Sequence, residues 1–241
     1  MANLRLLRHA TLLLDQGDVT FLVDPMLGEP GSIPPIPNSP NDRENPLVPL
    51  PDIPLTYDAV IVTHRHRDHF DDAARERLDR DRPLLCQPEE AAAFREEGFA
   101  DVRPVDEMVT YEGIEIARTP ARHGHGAVAE EMAPASGFVL DAEQTVYLAG
   151  DSVWYERVPA VIDEFEPDAV ILNAGAAQFV DSEPITMDLA DVRAVREYVD
   201  DAVTVVADHM DAINHCLLTR EMLREGIDGV SIPEDGERVA L

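Results

Sequence analysis

The sequence contains no lysine, so all 19 of its basic residues are arginines, and they are outnumbered by 48 acidic residues. The formal net charge is −29, and acidic residues occur in almost every segment of the chain. A surface this acidic argues against the basic footprint of a nucleic-acid-binding protein. Such a surface also repels itself unless salt screens the charges. We therefore expect a protein from a salt-loving organism, whose stability rises between dilute buffer and molar KCl.

Cysteines and long apolar runs are also scarce. Cys86 and Cys216 cannot form a disulfide framework and match no CxxC metal motif, so we expect small, buried apolar roles for both. No apolar stretch approaches the roughly 18–20 residues that cross a bilayer, and the N-terminal residues lack a secretory pattern. We expect a soluble, cytoplasmic protein that acts on a small molecule and has no membrane or nucleic-acid partner. A homo-oligomer is compatible with these features.

The apolar pattern predicts a single domain over residues 1–241, with a β-rich first half and a second half in which strands and helices alternate. The turn around Gln16 and Gly17 lies between two apolar runs and predicts a hairpin. Thr186 and Thr219 precede predicted helices and are candidate N-caps. No repeat and no break in composition indicates a second domain.

One long segment is rich in proline. Residues 28–55 contain nine of the 19 prolines, and this density prevents both a helix and a central strand. Long loops in compact domains are usually functional. We expect the segment to be a lid or an oligomer contact.

Side chains that can bind a metal ion directly follow four of the predicted strands. They are His64, His66, Asp68 and His69, then His123 or His125, then Asp151, and last His209. Two histidines two positions apart in extended chain point the same way and can bind one ion, and a carboxylate can bridge two ions. Two ions about 3.5–4 Å apart can hold a hydroxide nucleophile between them and polarise the bond under attack. Imidazole and carboxylate ligands favour zinc, with manganese or iron as alternatives.

The motif "THRHRDH" is similar to the HxHxDH motif of the metallo-β-lactamase-fold superfamily. The resemblance covers nearly the whole chain, and it is closest to the branch of metal-dependent hydrolases related to ascorbate-6-phosphate lactonase. It implies an α+β or α/β fold, specifically a four-layer αβ/βα sandwich. It also implies a first ion held by His64, His66 and His123, a second held by Asp68, His69 and His209, and Asp151 between them. Of the two histidines in "RHGHG", His123 matches the usual placement, and His125 would then face the substrate or support a ligand.

Some residues have candidate roles beyond metal binding. Asp68 is expected to be both a metal ligand and a catalytic residue. His215 is a candidate proton donor to the leaving group or a core-edge histidine, and Asn173 could bind a substrate oxygen or end its strand in a turn. Asp24 could orient a ligand histidine or form a turn before proline. For His9 we expect a half-buried strand histidine that bonds to the backbone, although it could approach the site.

The sequence therefore predicts a metal-dependent hydrolase whose metal-bound hydroxide attacks a small ester, lactone, thioester or phosphoester. One alternative is a phosphodiesterase or nuclease on the same binuclear site, but the chain offers no basic track for a nucleic acid. Another is a binding protein that retains metal without turnover, which the complete ligand set disfavours. Redox use with iron would need a flavin or persulfide partner, and no flavin domain is attached. Similarity of fold does not choose among substrates.

Overall fold

The computed structural model describes residues 2–132 and 134–241. The strands are β1 (Asn3–Arg8), β2 (Thr11–Gln16), β3 (Val19–Val23), β4 (Ala59–Val62), β5 (Leu84–Cys86), β6 (Val102–Pro104), β7 (Met108–Tyr111), β8 (Ile114–Pro120), β9 (Ser136–Asp141), β10 (Thr145–Leu148), β11 (Ala169–Asn173), β12 (Thr204–Asp208) and β13 (Arg238–Ala240). The α-helices are α1 (Asp72–Arg77), α2 (Ala91–Glu96), α3 (Gly126–Glu131), α4 (Arg157–Phe165), α5 (Leu189–Tyr198) and α6 (Arg220–Gly226). None of the helices in these ranges is both long and apolar enough to cross a membrane.

The strands form two mixed sheets. The first has the order β13-β1-β2-β3-β4-β5-β6, and the second has the order β12-β11-β10-β9-β8-β7. The predicted hairpin is confirmed: β2 pairs antiparallel with β3, and Gly17 in their turn has a φ of 61° that favours glycine. This β-rich first half and the alternating second half each supply most of one sheet.

Both faces of each sheet are buried, which makes the chain a four-layer sandwich, as predicted. Along β3, Phe21 and Val23 point into the core between the sheets, whereas Leu22 packs outward with residues of α1 and α2. The outer face of the second sheet packs against α4, α5 and α6, for example through Tyr147 and Val192. Because helices cover both outer faces, the strands are apolar on both sides, and a run such as "AVILN" in β11 is buried throughout.

The direction of the strands brings their polar ends together. In the first sheet, β3 and β4 are parallel, and β1 has the same direction because β2 is antiparallel to both β1 and β3. In the second sheet, β10, β11 and β12 are parallel, and β8 matches them because β9 lies antiparallel between β8 and β10. The carboxyl ends of these strands therefore meet at one edge of the sandwich, where loops are free to carry functional residues.

The two predicted N-caps have different outcomes. The prediction that Thr186 caps a helix is wrong, because Asp188 caps α5 by accepting from the Asp191 N–H, while Thr186 Oγ1 accepts from the Ala177 N–H at 3.0 Å. The Thr219 prediction is confirmed, since its hydroxyl accepts from the Met222 N–H. The apolar pattern does not indicate β7, α3 and β13, because these elements bury almost no residues.

The proline-rich segment packs against the loop that follows β12. Asn214 joins the two: its Oδ1 accepts from Asn45 Nδ2 at 2.9 Å, and its N–H donates to Asn45 Oδ1 at 2.8 Å. Ile33 and Ile213 belong to the small apolar cluster beneath this contact. The segment is therefore fixed to the loop that carries His215, and a role as lid or oligomer contact stays a prediction.

Candidate metal centre

The loop that carries the motif "THRHRDH" (residues 63–69) begins where β4 ends. Its conformation separates the two histidines at the start of the motif from the aspartate and histidine at its end. His64 and His66 lie in the first part, with His64 Nε2 and His66 Nδ1 2.9 Å apart. The chain then turns, because the His69 and Phe70 N–H groups both donate to the His66 carbonyl. This turn carries Asp68 and His69 to the other side of the site, ahead of α1.

The carboxylate of Asp151, which follows β10, lies at the centre of the cluster. Its Oδ2 is 3.7 Å from His64 Nε2, 3.3 Å from His69 Nε2 and 3.4 Å from His123 Nε2. Its Oδ1 is 3.3 Å from His209 Nε2. Histidines from three separate loops therefore meet at one buried carboxylate, which a fourth loop supplies.

Three overlapping groups of side chains have ligand atoms within 4.8 Å of one another. They are His64, His66 and His123; His64, His69 and Asp151; and His9, Asp68, His69 and His209. All seven ligands implied by the resemblance occur in these groups. His125 does not; it is partly exposed and precedes α3 without capping it. The preference for His123 over His125 therefore agrees with the geometry.

Three of the five candidate ligand histidines have an oxygen atom close to Nδ1, the ring nitrogen that faces away from the site. His64 Nδ1 lies 3.1 Å from Thr63 Oγ1, and His123 Nδ1 lies 2.8 Å from the Ile185 carbonyl oxygen. His69 Nδ1 lies 2.8 Å from Asp24 Oδ2. Such partners fix the tautomer and leave Nε2 facing the site. Asp24 thus has the orienting position that the sequence left open.

The electrostatics show how strongly these groups depend on one another. Burial disfavours the charged form of Asp151, but neighbouring imidazoles, above all His69, hold its pKa well below the usual range. Burial likewise disfavours a charge on His69, yet Asp151, Asp24 and Asp68 raise its pKa well above the usual value. The pKa of His64 is lowered well below normal, because it is buried and His69 lies beside it. The buried carboxylates of Asp68 and Asp151 and the imidazole nitrogens around them form a donor set that suits divalent ions, so these residues fit such ions.

The preferred prediction for His9, a half-buried strand histidine bonded to the backbone, is wrong, and the alternative that it approaches the site agrees with the structure. Its side chain is fully buried, it lies in the turn between β1 and β2, and its Nε2 is 3.2 Å from Asp68 Oδ2. One polar residue between two apolar strands is also typical of an ordinary turn, so the local pattern could not distinguish the two alternatives.

The two additional catalytic candidates occupy different positions around the cluster. Asn173 Nδ2 donates to Asp151 Oδ1 at 2.6 Å, so it contacts the central carboxylate directly. His215 is 5% exposed, its ring centroid is 6.0 Å from that of Phe179, and its Nδ1 has no hydrogen-bond partner among the described residues. Burial lowers the pKa of His215 to about 4, against the opposing effect of Asp68. At neutral pH it is therefore a neutral imidazole.

A cavity of about 1060 Å³ opens on one side of the site. His123 lines it, together with arginines and with apolar side chains such as Met132 and Phe165. Of the candidate ligands in the described ranges, His123 alone lines this cavity. The cavity therefore borders the cluster through His123, while the other candidate ligands lie outside its wall.

Known proteins resemble this chain over most of its length. A family model described as the β-lactamase superfamily domain matches residues 20–210. The UPF0173 protein YddR of Bacillus subtilis is 34% identical over 250 residues, which cover 98% of each protein. The crystal structure of an isothiocyanate hydrolase from Delia radicum gut bacteria superposes with a TM-score of 0.93 at 35% identity and covers 99% of each chain. A possible metal-dependent hydrolase from Veillonella parvula has the same TM-score at 30% identity, with 100% of each chain covered.

Proposed function

This chain belongs to the β-lactamase superfamily and, within it, to the UPF0173 proteins, and on this basis we propose that it is a hydrolase that depends on two divalent metal ions. The observation that carries the proposal is the position of Asp151. One of its oxygens faces His64, His69 and His123, and the other faces His209. A carboxylate placed in this way can serve two ions at once.

The donor set favours zinc, with manganese or iron as alternatives. We assign His64, His66 and His123 to the first ion. Asp68, His69 and His209 are assigned to the second, with Asp151 between the two. Ions bound here would act as Lewis acids and would lower the pKa of a bound water molecule.

The side chains around the cluster have distinct tasks in this proposal. Asn173 holds Asp151 in place through its 2.6 Å hydrogen bond. Asp24 holds His69 with Nε2 facing the site. His215 is our candidate proton donor to the leaving group, because it is buried, lies outside the ligand set and has no partner on Nδ1 among the described residues. As a neutral imidazole it would first take up the proton that the attacking water loses and would then pass it to the leaving group. It lies beside Phe179, which would form part of the substrate wall.

The substrate is proposed to be a small molecule with an electrophilic carbon or phosphorus atom. The similarity to an isothiocyanate hydrolase makes isothiocyanates the first class to test, because the central carbon of R–N=C=S is electrophilic in the same sense as a thioester carbonyl. Lactones remain in the panel, because the motif resembles that of the ascorbate-6-phosphate lactonase branch. Thioesters, simple esters and phosphoesters complete it. A cytoplasmic location and an origin in a salt-loving organism belong to the same proposal.

The test begins with the metal content of the purified protein and continues with this substrate panel in molar salt. We expect two ions per chain and turnover of at least one class. His66→Gln and Asp151→Asn should lose metal and activity while remaining folded. His125→Gln is the matched control, since His125 lies outside the cluster, and it should keep both. A wild-type protein without metal, or variants of His66 and Asp151 that remain active, would contradict the proposal.

A further inference from the structure

We infer that His9 is a positioning residue that holds the second half of the metal site, Asp68 and His209, in place. The inference rests on the proposed function, because it concerns the same pair of ions. It adds an eighth residue to the set that the motif implies, from a part of the chain outside the matched family model.

The first observation is the contact with Asp68. His9 Nε2 lies 3.2 Å from Asp68 Oδ2, whereas His69 Nε2 and His209 Nε2 are each 3.8 Å from the same oxygen. At this distance His9 Nε2 can donate a hydrogen bond to the carboxylate of Asp68, which holds that side chain in place. We therefore assign His9 the role of fixing Asp68.

The second observation concerns His209, a candidate ligand whose outer partner is a thiol. His64, His69 and His123 each have an oxygen within 3.1 Å of Nδ1, whereas His209 Nδ1 has the Cys216 sulfur at 3.7 Å. A thiol is a weak hydrogen-bonding group and orients an imidazole poorly.

His9 compensates for this weak contact by packing on His209. The two ring centroids are 3.6 Å apart with an interplanar angle of 36°. The backbone contributes as well, since the His209 N–H donates to the His9 carbonyl at 3.1 Å. The orientation of the His209 ring therefore depends on a residue about 200 positions earlier in the chain.

The chain holds His9 in a conformation that favours glycine. The pairing of β1 with β2 shifts between Leu6 and Arg8, and His9 has a φ of 59°. A left-handed conformation in a residue other than glycine costs free energy and persists only where the surroundings enforce it. Arg8 provides such an anchor, because its buried guanidinium donates to the carbonyls of Met26, Gly28 and Val48. The turn between β1 and β2 is thus held by the hydrogen bonds of Arg8 and by the bond between the His9 carbonyl and the His209 N–H.

The experiment compares the two metal-binding steps in His9 variants. Metal-free protein is titrated with Zn²⁺ against a chromogenic chelator, and the bound zinc is counted by elemental analysis. His9→Leu keeps the volume but loses the donor and the ring, and we expect a 10- to 100-fold lower affinity for the second ion with the first unchanged. His9→Gln restores a donor toward Asp68, and its second affinity should lie between those of His9→Leu and the wild type. His125→Leu is the matched control and should bind both ions as the wild type does.

The outcomes separate this inference from the proposed function. Wild-type protein that binds fewer than two ions contradicts the proposed function itself. If the wild type binds two ions and His9→Leu binds them equally well, only the role of His9 is overturned. Loss of both ions together, or a Gln variant no better than the Leu variant, overturns it too. If His9→Leu does not fold, His9→Asn replaces it: its side chain is too short to reach Asp68, so wild-type affinity for the second ion would refute the inference.

Discussion

The most informative single substitution is Asp24→Asn. The carboxylate of Asp24 is 1% exposed and accepts three hydrogen bonds, from the Thr63 N–H at 2.8 Å, the Thr63 hydroxyl at 2.7 Å and His69 Nδ1 at 2.8 Å. Asparagine has the same shape, and it tolerates the left-handed backbone at this position, where φ is 43°. The substitution therefore tests the hydrogen bonds and leaves the backbone unchanged.

The expected magnitude follows from these three bonds. Asparagine has a single acceptor oxygen, so at least one buried donor would face the amide N–H₂ group. A hydrogen bond to a charged group contributes about 1.5–3 kcal/mol. We therefore expect the free energy of unfolding to fall by about 3 kcal/mol, which lowers the Tm of a chain this long by roughly 6–12 °C. Because His69 also loses its orientation, the affinity for the second ion should fall about 10- to 100-fold.

Thermal unfolding in the presence of a chelator and competitive zinc titration measure the two effects separately. Asp201→Asn is the control, because the side chain of Asp201 is fully exposed. Its only ion pair in the described residues is a long one, with Oδ1 4.0 Å from Arg196 Nη2. It should change the free energy of unfolding by less than about 0.5 kcal/mol. An Asp24→Asn protein with wild-type Tm and wild-type affinity for the second ion would refute the orienting role of Asp24.

Three more predictions concern catalysis, pH and salt. His215→Gln should lower kcat by about 10²- to 10⁴-fold with unchanged metal content, and an active variant would remove His215 as the proton donor. Burial raises the pKa of Glu90 from 4.5 to about 7, so the unfolded chain loses this proton first and stability should fall as the pH rises from about 4.5 to 7. That pKa shift corresponds to a change in the free energy of unfolding of at most about 3.4 kcal/mol. Because Glu90 is partly exposed, we expect about half of this amount. The Glu90→Gln protein should therefore be more stable than the wild type by about half that amount at pH 8, and equally stable near pH 4. Unfolding curves that stay parallel across this range would contradict the prediction. The Tm should rise from dilute buffer to molar KCl, because salt screens a net charge of −29, and an unchanged Tm would exclude this explanation of the acidity.

Much of the fold could be predicted from sequence because its signals are local. The period of apolar residues identifies a strand such as β11, and the residues between Gln16 and Val19 identify a hairpin. The spacing of His64, His66, Asp68 and His69 within one loop indicates the metal site for the same reason, since neighbouring residues in extended chain have fixed relative directions.

The rest depended on contacts between residues that are far apart in the chain. His69 and His209 are 140 positions apart, yet their Nε2 atoms are 3.2 Å from each other. His123 is held by the carbonyl of Ile185, and the partner of His9 is Asp68, and no local pattern links either pair. The sequence alone determined which residues can bind metal and which strands they follow. The packing of the two sheets decided which of them converge and which neighbours orient them, because only the shared edge brings those strand ends within bonding distance.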